Sequence, residues 1–171
     1  MKILKYAGIT IASLLVIFLG VGWFIPSYEY SVRVAVNAAP EKCWEVLHDT
    51  SRMKKWLPGF VSLKLTEGEY LQPGSVYEVI LVQDKVYRMQ ETLTEINPPR
   101  GSAYVLTNDV MKSEYNFKLS GSSGQTEIVA QYIVTGNNLI WRSILWLSKS
   151  YLQKNAQGQL DSLKVEIETS N

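Results

Sequence analysis

The chain has a single cysteine, Cys43, and a single histidine, His48, in 171 residues. One cysteine excludes an intramolecular disulfide and any thiolate-based metal cluster. One histidine excludes a multi-histidine metal site. Neither a Gly-rich phosphate loop nor a Gly-x-Ser-x-Gly elbow occurs, so no cofactor and no metal are expected. An excess of one charge is also missing, with 17 basic against 16 acidic residues. Without a basic stripe, nucleic acid is not an expected partner. Internal repeats and low-complexity tracts are absent, and a stretch of 145 residues beyond residue 26 suits one domain with a full core.

One long apolar run is present. From Tyr6 to Ile25 there is no charged residue, and twenty helical residues at about 1.5 Å each span about 30 Å, the thickness of a bilayer's hydrocarbon core. Lys2 and Lys5 precede it, and Trp23 and Tyr28 lie near its far end, where interfacial aromatics are favoured. The expectation is an uncleaved single-pass anchor over residues 1–26, crossing the cell membrane with residues 6–25. The positive-inside rule puts its N-terminus in the cytoplasm and the domain over 27–171 on the extracytoplasmic side. A cleaved signal peptide competes, but its apolar region would be about 7–15 residues, and only Gly20-Val21-Gly22 resembles a cleavage site.

Beyond the run, Tyr28 to Asn37 alternates as a strand, with Tyr28, Tyr30, Val32, Val34 and Val36 on one face. Pro40, with Glu41 behind it, then opens a short helix. Cys43, Val46 and Leu47 share its apolar face, so Cys43 reads as core rather than as a reactive thiol. His48 reads as surface or helix-end packing, since neighbouring helical residues point about 100° apart and Asp49 cannot orient its ring. Asp49, Thr50 and Ser51 are candidate caps of a second short helix that Pro58-Gly59 ends. Strands are expected over Val61–Glu67, Val76–Val82, Lys85–Ile96, Ser102–Thr107, Glu114–Leu119 and Gln125–Val134. Gln72-Pro73-Gly74-Ser75 is a type II turn candidate, and Ser120–Gly124 reads as a flexible hairpin loop. With no proline from Leu139 to Glu168, one helix of up to about 30 residues is allowed, capped by Asn138 and kinked at Gly158.

Ala39-Pro40, Trp44, Asp49, Trp56-Leu57-Pro58-Gly59, Gly74-Ser75, Glu91, Pro98-Pro99-Arg100, Gly124-Gln125-Thr126 and the stretch Leu160 to Glu168 together resemble the START-like helix-grip superfamily (SRPBCC), in particular its polyketide cyclase/dehydrase-like branch. The resemblance covers Tyr28 to Glu168. It implies an α+β fold: a curved antiparallel sheet of about seven strands, two short helices after the first strand and a long C-terminal helix, here behind one transmembrane helix. It also implies a space between sheet and long helix for a greasy ligand. The superfamily contains lipid carriers, cyclases and hormone receptors, so the resemblance does not choose an activity.

Strand alternation turns Tyr77, Val79, Tyr87, Met89, Tyr115, Phe117, Ile128 and Tyr132 to one face. It turns Glu91 there too, unless an edge or bulge leaves that carboxylate in water. Tyrosines offer an apolar ring and a hydroxyl, which suits a cavity that orients an amphiphile. With Trp56, Tyr104 and Tyr151 these make the expected ligand-binding set, beside a reading as ordinary core. The partner implied is a hydrophobic small molecule or lipid. The alternatives are a polyketide cyclase/dehydratase-like enzyme using Glu91, His48 and tyrosines, or an interaction module with a filled core. Trp141, Leu145 and Trp146 are expected either in the core or dipping into the membrane interface.

Overall fold

The structure, a computed structural model, describes residues 2–122 and 124–170, with side chains from Lys5 onward. The Lys2 side chain and Ser123 of the expected loop lie outside them. The chain opens with α1 (Lys2–Phe24), then β1 (Ser27–Val36), α2 (Pro40–His48) and the four-residue α3 (Met53–Trp56). Six strands follow: β2 (Phe60–Glu67), β3 (Val76–Val82), β4 (Val86–Asn97), β5 (Gly101–Thr107), β6 (Met111–Ser122) and β7 (Gln125–Gly136). α4 (Leu139–Leu147) and α5 (Lys149–Thr169) close the chain. The strands form one antiparallel sheet in the order β1-β7-β6-β5-β4-β3-β2. The last strand therefore pairs with the first, and the sheet curls around α5 in a helix-grip.

Local chemistry accounts for much of this. Pro40 occupies the first turn of α2, where its missing N–H costs nothing. Gly74 has φ +93°, as the third position of a type II turn requires, and Ser75 N–H bonds Gln72 O at 3.0 Å. Asn138 caps α4 by accepting from Trp141 N–H at 3.0 Å. The even-numbered residues of β1 face inward, Val36 being fully buried.

The core gathers Val32 and Val36 of β1, Cys43, Val46 and Leu47 of α2, Leu119 of β6, Ile128 of β7, and Leu160, Leu163 and Ile167 of α5. Cys43 is thus core, and burial pushes its thiol pKa up. Across the surface of α3 and α5, Glu166 takes Lys55 Nζ at 3.0 Å and Arg52 at 3.5 Å, fastening the two helices together.

Four expectations need correction. The C-terminal helix breaks at Ser148 and not at Gly158, because α4 packs on α1 whereas α5 packs on β1 and α3. Asp49 binds Ser51 N–H, Ser51 Oγ and Arg52 Nε within the connecting turn, and α3 has no side-chain cap. Ser120–Ser122 extend β6 instead of forming a five-residue loop. Tyr28 is buried against Leu145 and Val134 instead of standing exposed beyond the apolar helix, with Lys149 Nζ 5.7 Å from its ring centre.

α1 is apolar from Lys5 to Phe24 and almost bare of protein contact. Its last turns are the exception. Ser143 Oγ of α4 donates to Phe18 O at 2.6 Å and accepts from Gly22 N–H at 3.0 Å. Gly22 permits that approach, since a Cβ there would lie 2.3 Å from Leu139 O.

Candidate functional site

The sheet's concave face is only half filled by core. Beneath the N-terminal half of α5 lies a cavity of about 650 Å³, within the range of small-molecule sites. The structure brings all eleven expected residues to its wall: Tyr77 and Val79 from β3; Tyr87, Met89 and Glu91 from β4; Tyr104 from β5; Tyr115 and Phe117 from β6; Tyr132 from β7; Trp56 from α3; and Tyr151 from α5. Ile128 shares their face but is sealed in the core. Tyr151 and the exposed Asp84 mark the mouth, where Tyr87 Oη donates to Asp84 Oδ1 at 2.7 Å.

Four tyrosines form a row across the floor. Tyr30, Tyr132, Tyr115 and Tyr104 are register partners on the adjacent strands β1, β7, β6 and β5. Their rings stack at centroid distances of 4.8, 5.9 and 5.1 Å in that order. Burial pushes the Tyr132 hydroxyl up to about 12 and raises the other three as well. These hydroxyls stay protonated at any physiological pH.

The polar groups gather at the β4–β5–β6 end of that row. Glu91 faces Tyr77 across β3 and Leu106 across β5, and it accepts a hydrogen bond from the Tyr115 hydroxyl. The β-bulge that would have released it to water falls further along, between Leu93 and Glu95. Desolvation raises its pKa, against a smaller lowering from the Tyr115 hydroxyl.

His48 is buried, 9% exposed, and lines the cavity instead of the surface. Its Nδ1 lies 2.9 Å from Trp44 O, an acceptor only, so Nδ1 carries the proton and Nε2 accepts from the Tyr104 hydroxyl at 2.9 Å. Asp49 turns away to Arg52, so no His-Asp pair forms.

Both the sequence and the architecture have known counterparts. Residues 28–168 match the family described as polyketide cyclase / dehydrase and lipid transport. The chain belongs to that family. No curated protein matches it significantly. Among solved structures it is similar to the Zhui aromatase/cyclase from Streptomyces sp. R1128, at 16% identity and TM-score 0.69, covering 83% of this chain and 94% of that one. It is similar also to a protein of Thermus thermophilus, at 18% identity and TM-score 0.66 over 82% and 97%. For Ara h 8.0201 the values are 15% and 0.66 over 84% and 99%. At these identities the likeness establishes the fold.

Sequence reasoning missed several wall residues of this polyketide cyclase/dehydrase family member. Tyr30 was legible as inward-facing, but its place in the tyrosine row needed the β1–β7 register. Tyr70 donates to His48 O at 3.1 Å, and Leu71 N–H donates to Tyr77 Oη at 2.9 Å from a left-handed backbone, φ +55°. No turn signal in Glu69-Tyr70-Leu71 marks that conformation. His48 packs at the end of α2, one of the two expected placements, but its position on the cavity wall was not legible, because helical spacing does not say which strand will lie opposite.

The burial of His48 has a pH signature. Desolvation lowers its pKa from the usual value of about 6.5. Between that value and the depressed folded one, the unfolded chain binds more protons than the folded chain, so stability falls as pH drops. The buried Glu91, with its raised pKa, acts in the opposite direction, so the expected signature is a difference: from pH 7.5 to 5.5 the melting temperature of the wild type falls relative to that of His48→Asn. Parallel melting curves for the two proteins would show that the ring does not titrate between the states.

Proposed function

We propose that this chain is a membrane-anchored domain, with residues 1–26 as anchor and 27–171 as binding unit, that holds a hydrophobic small molecule or lipid between sheet and C-terminal helix. The observation that carries it is the cavity of about 650 Å³ beneath α5, whose surface is mostly apolar and is interrupted by tyrosine hydroxyls and a smaller set of polar side chains. Apolar ligand surface buried there gains roughly 25 cal/mol per Å². A domain that worked only as a filled interaction module would have no reason to leave that volume open.

The seam between α1 and α4 supports the membrane part. Phe18 and Gly22 lie within the apolar stretch Lys5–Phe24, and Phe18 sits about 9 Å before Phe24 along the helix. A helix bonded to those residues is drawn to the level of the bilayer interface. α4 suits that level, since Ile140, Ile144, Trp146 and Leu147 are exposed on it. Leu145, by contrast, turns inward to the cavity. With Lys5 on the cytoplasmic side, the domain would stand outside the cell membrane.

Native mass spectrometry of full-length protein released from a mild non-ionic detergent tests this reading. A retained apolar adduct, with a melting shift on adding extracted lipid, is the expected result. Repeated recovery of the bare mass, with no shift, would overturn it.

A second reading, acid–base catalysis of a cyclisation or dehydration, is favoured by one observation: the Glu91–Tyr115 and His48–Tyr104 pairs share one stretch of wall. Loss of turnover of a polyketide-like substrate in Glu91→Gln and Tyr115→Phe supports it. Unchanged turnover in both removes it.

A further inference from the structure

The charge inventory of the cavity narrows what it accepts, on the footing that the ligand-binding reading holds. No lysine or arginine stands among the described residues of its wall. Of the nearby cations, Arg52 and Lys55 pair with Glu166 and Arg88 with Glu78, while Lys85 lies over the Tyr87 ring, 5.2 Å from its centre, at the mouth. The acidic side chains of the wall are Asp84 at the mouth, already bonded to Tyr87, and Glu91 inside. A ligand ending in a carboxylate or phosphate would therefore enter an apolar space without a counter-ion, facing a carboxyl group.

Glu91 also has an open position. Its Oε2 takes the Tyr115 hydroxyl, whereas Oε1 accepts from no described residue and is not sealed by its neighbours. Oε1 is thus reached from the cavity. Of the hydroxyls near it, Tyr104 donates to His48, whereas Tyr77 accepts from Leu71 N–H and keeps its own proton to donate. A ligand hydroxyl suits Oε1 in either protonation state, donating to a carboxylate or accepting from a carboxylic acid.

We propose that the cavity selects uncharged apolar molecules bearing a hydroxyl group, which bonds Glu91 Oε1, and discriminates against anionic amphiphiles of the same length. Orientation follows: the hydroxyl lies at the β4–β6 wall and the apolar body extends toward Leu152 and Tyr151 at the mouth.

The test is a competition of equimolar 1-hexadecanol, palmitate and hexadecylamine for the full chain in non-ionic detergent at pH 8, read as adducts by native mass spectrometry. The alcohol adduct is expected to exceed the palmitate adduct by at least about tenfold. Glu91→Leu is expected to lose most of the alcohol adduct, while Glu78→Gln, on the solvent face of β3, keeps it. Palmitate equal to or above the alcohol overturns the inference. So does hexadecylamine above the alcohol with that excess lost in Glu91→Leu, because the site would then be cationic-selective. Retention of the alcohol by Glu91→Leu overturns the role of Oε1. Absence of all three adducts indicts instead the ligand-binding reading on which the inference rests.

Discussion

Leu163→Ala is expected to cost about 2–5 kcal/mol and to lower the melting temperature by on the order of 10 °C. Leu163 is fully buried at the centre of the cluster that joins α5 to β1, β6, β7 and α2. The close-packed surroundings cannot collapse into the space it leaves, so a cavity term adds to the lost transfer energy. Leu152, one helical stretch earlier, is the contrast. It already borders open volume, and truncating it creates little new void. Leu152→Ala is expected to cost less than half as much while enlarging the cavity. Equal losses in urea melts of the two variants would mean that α5 packs uniformly along its length and that no cavity persists in solution.

The second large effect is expected at the seam between α1 and α4. A leucine at position 22 places a Cβ 2.3 Å from Leu139 O and 2.5 Å from Ser143 Oγ. The first of these is backbone and cannot swing aside. Gly22→Leu must therefore push α4 off α1, breaking the Gly22 N–H to Ser143 bond. Amide exchange across Leu139–Leu147 is expected to rise at least about tenfold, with β6, β7 and the C-terminal half of α5 unchanged. Exchange that stays at the wild-type rate in α4 would show that the two helices do not need each other. The consequence reaches function, because Leu145 of α4 is also a wall of the cavity.

These two positions show which features the sequence carried and which it did not. Local signals were sufficient for the helix pair, the strand alternation and the Pro73-Gly74 turn, since each rests on a backbone preference of the residue itself. Alternation also turned Glu91 and the tyrosines to one face. It could not decide whether that face was packed or hollow, since volume depends on how far α5 stands from the strands. The break at Ser148 left no proline or glycine to read. It arises because consecutive turns pack on different partners, α1 and then β1, and the only trace is the change from an all-round apolar segment to a narrow stripe. His48 and Tyr104 are 56 positions apart, and only the order of the sheet makes them neighbours.

The claim that unites the fold, the apolar N-terminal helix and the wall chemistry is that a neutral apolar molecule sits beneath α5. The most direct measurement is photo-crosslinking of the full chain in lipid vesicles with a diazirine-bearing sixteen-carbon alcohol, followed by peptide mapping. The account expects labelled side chains on the cavity wall, among them Met89, Leu106 and Leu152, with labelling there suppressed by excess 1-hexadecanol. Labels confined to α1 and to Ile140, Ile144 and Leu147 on the outer face of α4, and insensitive to competitor, would contradict it.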